Sequence, residues 1–242
     1  MSDAALARAL AAEAGTLLAA IQAQGRETGR DLGNRGDREA NALILDRLRA
    51  ERPGEFVLSE EAADDRARCA ASRVWIVDPL DGTREYAEGR DDWAVHVALS
   101  VDGVPVTGAV ALPARGIVLG SDDPPRLAPA NTPLRIVVSR TRPPREAEIV
   151  AQALGATLVP MGSAGAKAMA VVLGEADAYV HSGGQYAWDN CAPAAVALAA
   201  GLHVSRLNGE PLVYNRAETW VPDLLICAKP LAAAIFAAVA GP

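Results

Sequence analysis

The chain has 242 residues, half of them hydrophobic, and a formal net charge of −7. That length buries a sizeable core, either as one large domain or as two closely packed units. Lysine and arginine are scattered through an acidic background, which excludes the basic field that a nucleic-acid polymer requires but leaves small anionic ligands open, since a bound cation reverses the sign of a site locally.

Leu6, Leu10, Leu17, Leu18 and Ile21 recur at helical spacing and predict a helix over 4–23, with Ser2 or Asp3 placed to cap it. Its start, Met1-Ser2-Asp3-Ala4, lacks a charged-then-apolar leader, and Arg8 and Glu13 interrupt the apolar stretch, so no membrane span is expected. A Gly-rich polar segment over 25–36 predicts a break. Ala40, Leu43, Ile44, Leu45 and Leu48 then predict a helix over 37–52 that stops before Pro53 and carries Asp37 at its start. Phe56-Val57-Leu58 predicts a short strand running into Ser59-Glu60-Glu61.

Val74 to Val77 predicts a second strand, which delivers Asp78 and Asp81 toward a turn containing Pro79 and Gly82. Pro79 holds the residue before it extended, so Asp78 should close the strand and Asp81 should lie in the turn. Gly82 lets backbone approach a ligand closely, and a helix beginning at Thr83 would offer free amides to an anion. Trp93–Val101, Val104–Leu112 and Gly116–Gly120 predict an antiparallel meander.

The turn-rich segment Ser121 to Pro133 marks the expected boundary between an N-terminal half, 1–130, and a C-terminal half, 131–242. Beyond it, strands over 135–139, 157–160, 176–181 and 224–227 alternate with helices over 145–154, 165–173, 190–200 and 231–239, which indicates a layered α/β unit. The three cysteines, Cys69, Cys191 and Cys227, have neither disulfide-framework nor zinc-site spacing and fit a reducing, cytoplasmic setting.

Four carboxylates stand out: Glu60, Asp78, Asp81 and Asp189, the last at a predicted loop-to-helix junction. Gathered together they suit Mg²⁺, a hard cation that prefers oxygen donors and keeps room for water and phosphate. Two such ions could activate a water and stabilise the leaving oxygen of a phosphoryl displacement. Each residue also has a plainer role: Asp81 in a turn, Asp189 or Asp37 as a helix cap, Glu60-Glu61 as a solvated pair. His96, His181 and His203 read as structural or exposed, and Trp75, Trp93, Trp188 and Trp220 as core or rim packing. An aspartyl-phosphate route of the Asp-x-Asp-Gly-Thr kind is disfavoured, because the nucleophile position is Pro79.

Ser59-Glu60-Glu61, Trp75-Ile76-Val77-Asp78-Pro79-Leu80-Asp81-Gly82-Thr83 and Trp188-Asp189 before an Ala-rich helix together resemble the lithium-sensitive, Mg²⁺-dependent inositol monophosphatase superfamily. Within it, Asp81 to Tyr86 and Gly162 to Lys167 look like the CysQ-type bisphosphate nucleotidases, and Gly89 to His96 with His181 to Gln185 look like their actinobacterial members. The resemblance implies a layered α-β-α-β-α sandwich, made of an α+β half and an α/β half, with the site between them.

It further implies that Glu60, Asp78, the Leu80 carbonyl, Asp81 and Asp189 bind two to three Mg²⁺, and that Asp81, Gly82 and Thr83 adjoin the scissile phosphate. Asp37 and Thr83 would orient or deprotonate the attacking water, with Glu60 as helper. Ser163, Lys167 and His181 would meet a second phosphate, His181 standing where eukaryotic relatives have Arg; Ser182 stands where inositol monophosphatases carry Glu. The implied reaction is removal of the 3′-phosphate of 3′-phosphoadenosine 5′-phosphate in sulfur assimilation, by a cytoplasmic enzyme from a superfamily that leans towards homodimers. Two alternatives are a broader phosphatase of inositol 1-phosphate or fructose 1,6-bisphosphate, and a catalytically silent metal- and nucleotide-binding regulator.

Overall fold

The computed structural model describes residues 1–241. Helix α1, Asp3–Gln24, starts at a Ser2 side chain that accepts the Ala5 amide at 3.2 Å, and stops at Gly25 in the left-handed region. By length and composition alone, α1 is long and apolar enough to cross a membrane. In the fold its apolar stripe, including Leu6, Leu10, Leu18 and Ile21, is buried against a sheet, while Arg8 and Glu13 pair with Asp122 and Arg47. Each such leucine is worth roughly 1.5–3 kcal/mol of burial.

Helix α2 spans Gly29–Glu51, eight residues more at its start than the pattern predicts, so Asp37 lies inside the helix and is not its cap. The glycines taken as breakers are there for contact. A Cβ on Gly33 would stand 2.6 Å from the Thr83 methyl, and one on Gly36 would meet Leu18, Leu80 and Tyr86 at 2.9–3.1 Å. Tertiary packing has overridden the helix penalty of glycine.

The first sheet has the order β1-β2-β3-β4-β5: Phe56–Ser59, Arg73–Asp81, Ala94–Val101, Val104–Leu112 and Ile117–Gly120. β1 pairs parallel with β2, and β2 to β5 form an antiparallel meander. β2 reaches Asp81 and does not end at Asp78; Pro79 and Leu80 sit in a break in the pairing, where proline's missing amide is tolerated. The short helix α3, Thr83–Ala87, follows at once.

The second sheet has the order β7-β6-β8-β10-β9: Thr157–Met161, Arg135–Ser139, Ala178–Tyr186, Trp220–Cys227 and His203–Ser205. β8 and β10 are longer than predicted and β9 carries no signal in the pattern; Gly183 and Gly184, both at positive φ, lie within β8 and do not end it. α4, Arg145–Leu154, and α7, Ala232–Ala240, cover one face of this sheet, while α5, Ala164–Val172, and α6, Ala187–Ala199, lie between the two sheets.

Three cores bind the five layers. One joins α1 and α2 to the first sheet, one surrounds α5 and α6, and one lies under α4 and α7. The arrangement is an α-β-α-β-α sandwich. At the centre α6 packs so closely on β4 that a Cβ on Gly108 would stand 2.6 Å from the Ala192 carbonyl oxygen.

Candidate metal and phosphate site

The carboxylates arrive from separate layers. β2 delivers Asp78 and Asp81, and the first turn of α6 delivers Asp189; one oxygen of each lies within 4.8 Å of the others. Glu60 follows β1, tied to β2 by its amide on the Val77 carbonyl at 3.3 Å. It is exposed by area and outside that three-carboxylate group, yet close enough to feel Asp189, Asp37 and Asp81.

This crowding shows in the proton affinities. Desolvation and then neighbouring carboxylates push Glu60 up to about 8, Asp189 up to about 6, and Asp78 well above the carboxylate range. Asp81 behaves in the opposite way. Burial opposes its ionisation, but His96, the Gly165 amide at 2.6 Å and Lys167 outweigh it and hold it below the ordinary value. Oxygen-only donors that are crowded together, two of them buried, fit a hard divalent cation.

Asp37, buried on α2, is pushed up to about 7 by desolvation and Glu61, against the pull of the neighbouring Thr83 hydroxyl. The single proton of the Thr83 hydroxyl is directed to the Leu80 carbonyl at 3.2 Å. Gly82 has φ 86°, and a Cβ there would stand 2.9 Å from that of Ser163. The α3 turn and the start of α5 therefore meet backbone to side chain.

Ser163, Lys167 and His181 all have backbone partners. Ser163 Oγ accepts the Ala166 amide at 2.8 Å and caps α5. Lys167, buried and pushed down to about 8 by desolvation, donates to the Ser163 carbonyl at 2.7 Å and to that of Gly162. His181 Nε2 lies 3.0 Å from the Gly184 carbonyl, and burial lowers its proton affinity.

Two groups escaped sequence reasoning. His96 is fully buried, with Nε2 3.3 Å from Asp81 Oδ2 and Nδ1 3.1 Å from the Trp188 carbonyl; burial opposes its charge, but Asp81 raises its proton affinity. Its one signal is strand register, since His96 is the partner of Asp78. The other is an arginine group on a cleft of about 460 Å³ lined by Asp81, Gly82, Ser163, Arg84, Arg140 and Arg142. Arg140 is engaged by Glu85 and Glu88 and Arg84 by Glu88, whereas exposed Arg142 forms no ion pair among the described residues.

A five-layer sandwich with convergent carboxylates from β2 and α6 places this protein among the layered α/β folds that carry a metal-competent acidic cleft. The chain belongs to the inositol monophosphatase family, a metal-dependent family whose model matches residues 2–239. It is 54% identical over 239 residues to a Mycobacterium bovis protein named 3′-phosphoadenosine 5′-phosphate phosphatase, covering 94% of this chain and 90% of the relative. It is 32% identical over 198 residues to the 3′(2′),5′-bisphosphate nucleotidase CysQ of Escherichia coli, covering 76% of this chain and 80% of that one. Among solved structures, CysQ from Bacteroides thetaiotaomicron superposes with a TM-score of 0.80 at 28% identity, over 94% of this chain and 97% of that one.

Proposed function

We propose that this protein removes the 3′-phosphate from 3′-phosphoadenosine 5′-phosphate, giving AMP and inorganic phosphate, in a Mg²⁺-dependent reaction of sulfur assimilation. The observation that carries this reading is the meeting of Asp78, Asp81 and Asp189 beside an arginine-lined cleft, in a chain 54% identical to a protein named for that activity. We assign the three aspartates, Glu60 and the Leu80 carbonyl to two or three Mg²⁺. When bound, these ions supply water activation and neutralise charge on the leaving oxygen.

The chain's own residues do the rest. Asp37, whose proton affinity burial and Glu61 raise towards that of a general base, takes the proton of the attacking water, and Thr83 orients that water from the turn after Asp81. The Gly82 and Thr83 amides face the scissile phosphate, while His96 and the Gly165 amide hold Asp81 ionised and in place. Ser163 and Arg142 on the cleft, with Lys167 and His181, meet the 5′-phosphate. Residues 1–130 and 131–242 act as two halves that close the site between them. The three free cysteines suit the cytoplasm.

Phosphate release from 3′-phosphoadenosine 5′-phosphate, inositol 1-phosphate and fructose 1,6-bisphosphate, each with Mg²⁺ and then with added Li⁺, tests the reading. Preference for the nucleotide and inhibition by Li⁺ are expected. Faster release from inositol phosphate overturns the substrate assignment, and no turnover of any of them favours a binding protein.

A further inference from the structure

The carboxylates and the arginine cleft leave three aromatic rings unused. Strands β6 and β10 flank β8 on opposite sides. Arg142 follows β6, whereas Tyr186 ends β8 and Trp220 begins β10. Tyr186 and Trp220 are register partners, so their side chains share one face of the sheet. The rings meet edge to face at 5.3 Å and 78°, and Trp188 stacks on Tyr186 at 4.8 Å and 11°.

Trp75 and Trp93 are fully buried in the core, but Tyr186 and Trp220 are 43% and 44% exposed. Their setting is rigid. Gly184, two residues before Tyr186, has φ +91°, and a Cβ there would stand 1.6 Å from Trp220 Cζ2, so the indole rests directly on backbone. The group is also continuous with the carboxylates, because the Tyr186 amide donates to Asp189 Oδ2 at 2.5 Å.

We propose that Tyr186, Trp188 and Trp220 form the platform on which the purine base of the bisphosphate nucleotide stacks. This rests on the activity proposed above. On a ribose the base leaves from a carbon separated from the 3′-carbon by one ring carbon, and from the carbon bearing the 5′-arm by the ring oxygen. With the 3′-phosphate at the carboxylates and the 5′-phosphate toward Arg142, the base is directed away from β6, to the side of β8 and β10. Exposed aromatic rings accept a flat nucleobase by stacking and offer far less to an aliphatic cyclitol or a sugar phosphate. The rings thus select for a nucleoside, whereas the cleft selects for a second phosphate.

The test compares kcat/KM for 3′-phosphoadenosine 5′-phosphate with that for a base-free analogue, 1-deoxyribose 3,5-bisphosphate. In Trp220→Ala and in Tyr186→Ala the ratio of the two is expected to fall about tenfold; Trp220→Phe, which keeps a ring, retains most of it. An unchanged ratio in both alanine variants overturns the platform, and if size-exclusion chromatography shows that they also dissociate a dimer, the rings belong to a contact with a second copy. If the wild type cleaves neither compound the proposed activity fails, and calorimetric binding of AMP judges the platform separately. Loss of AMP binding in the alanine variants then upholds it, and equal binding, or none by the wild type, overturns it.

Discussion

The Nε2 of His96 stands 3.3 Å from Oδ2 of Asp81, the oxygen that also accepts the Gly165 amide at 2.6 Å. One oxygen thereby joins the first sheet to the helix layer beneath it. Replacing His96 by Phe removes a partner from a buried carboxylate, which costs about 1–3 kcal/mol and raises the Asp81 proton affinity. We expect a lower Tm and weaker Mg²⁺ binding. Gly165→Ala should do the same from the other side, since its Cβ would stand 2.1 Å from His96 Nε2. Thermal unfolding and a Mg²⁺ titration check both; an unchanged Mg²⁺ affinity removes His96 from the support of Asp81.

Asp81→Asn keeps the shape and removes the charge. The variant is expected to fold, because the amide oxygen can still accept from Gly165, and to lose nearly all turnover. Circular dichroism with phosphate release decides this. Activity within a few-fold of wild type means that the cation cluster is wrongly drawn.

Without metal, stability should fall as the pH rises from about 4 to about 8. Glu60 at about 8, Asp37 at about 7, Asp189 at about 6 and Asp78, higher than its ordinary value, bind protons in the folded chain that the unfolded chain releases near pH 4. His96, whose affinity is raised, adds to the same trend, its contribution being present at low pH and lost as it deprotonates. Asp81, with a lowered value, matters only on the acid side, where its stabilisation is lost as it protonates. A bound cation needs the deprotonated cluster, so the rise in Tm on adding millimolar Mg²⁺ should be larger near pH 8.5 than near pH 5.5. Equal increments contradict binding at these carboxylates.

Arg142 and Lys167 can be separated by stability. Arg142 is exposed and forms no ion pair among the described residues, so Arg142→Ala should leave Tm unchanged while raising KM for the bisphosphate more than for a 3′-monophosphate. Lys167→Ala should show the same KM split together with a lower Tm, because its ammonium holds the Gly162 and Ser163 carbonyls. Steady-state kinetics on both substrates, with melting curves, check this; equal KM effects place neither residue at the second phosphate.

Much of the fold was legible because apolar periodicity survives in single segments. The α1 stripe, the β3–β5 meander and the four helices after residue 135 were read to within a few residues, whereas β8 and β10 run on past their predicted spans and β9 went unread. What failed were contacts between segments. Gly33 and Gly36 look like breakers until Thr83 and Leu80 are seen against them, and Gly183-Gly184 looks like a strand end until Trp220 is seen lying on Gly184. The carboxylates stood out because each follows a strand or opens a helix. His96 did not, since an isolated histidine in a strand has no local signature, and only register sets it beside Asp78 and within reach of Asp81.

The bare backbone of α2 at positions 33 and 36 has a metrical consequence. With no Cβ at either position, the helix rides at a height fixed by main chain against the Thr83 methyl and the Leu80 side chain. The gap between Asp37 and Thr83 is therefore gauged by the thickness of a naked helix. A single methyl at Gly33 would act as a shim, lifting the carboxylate off the hydroxyl while every residue of the cation cluster kept its identity.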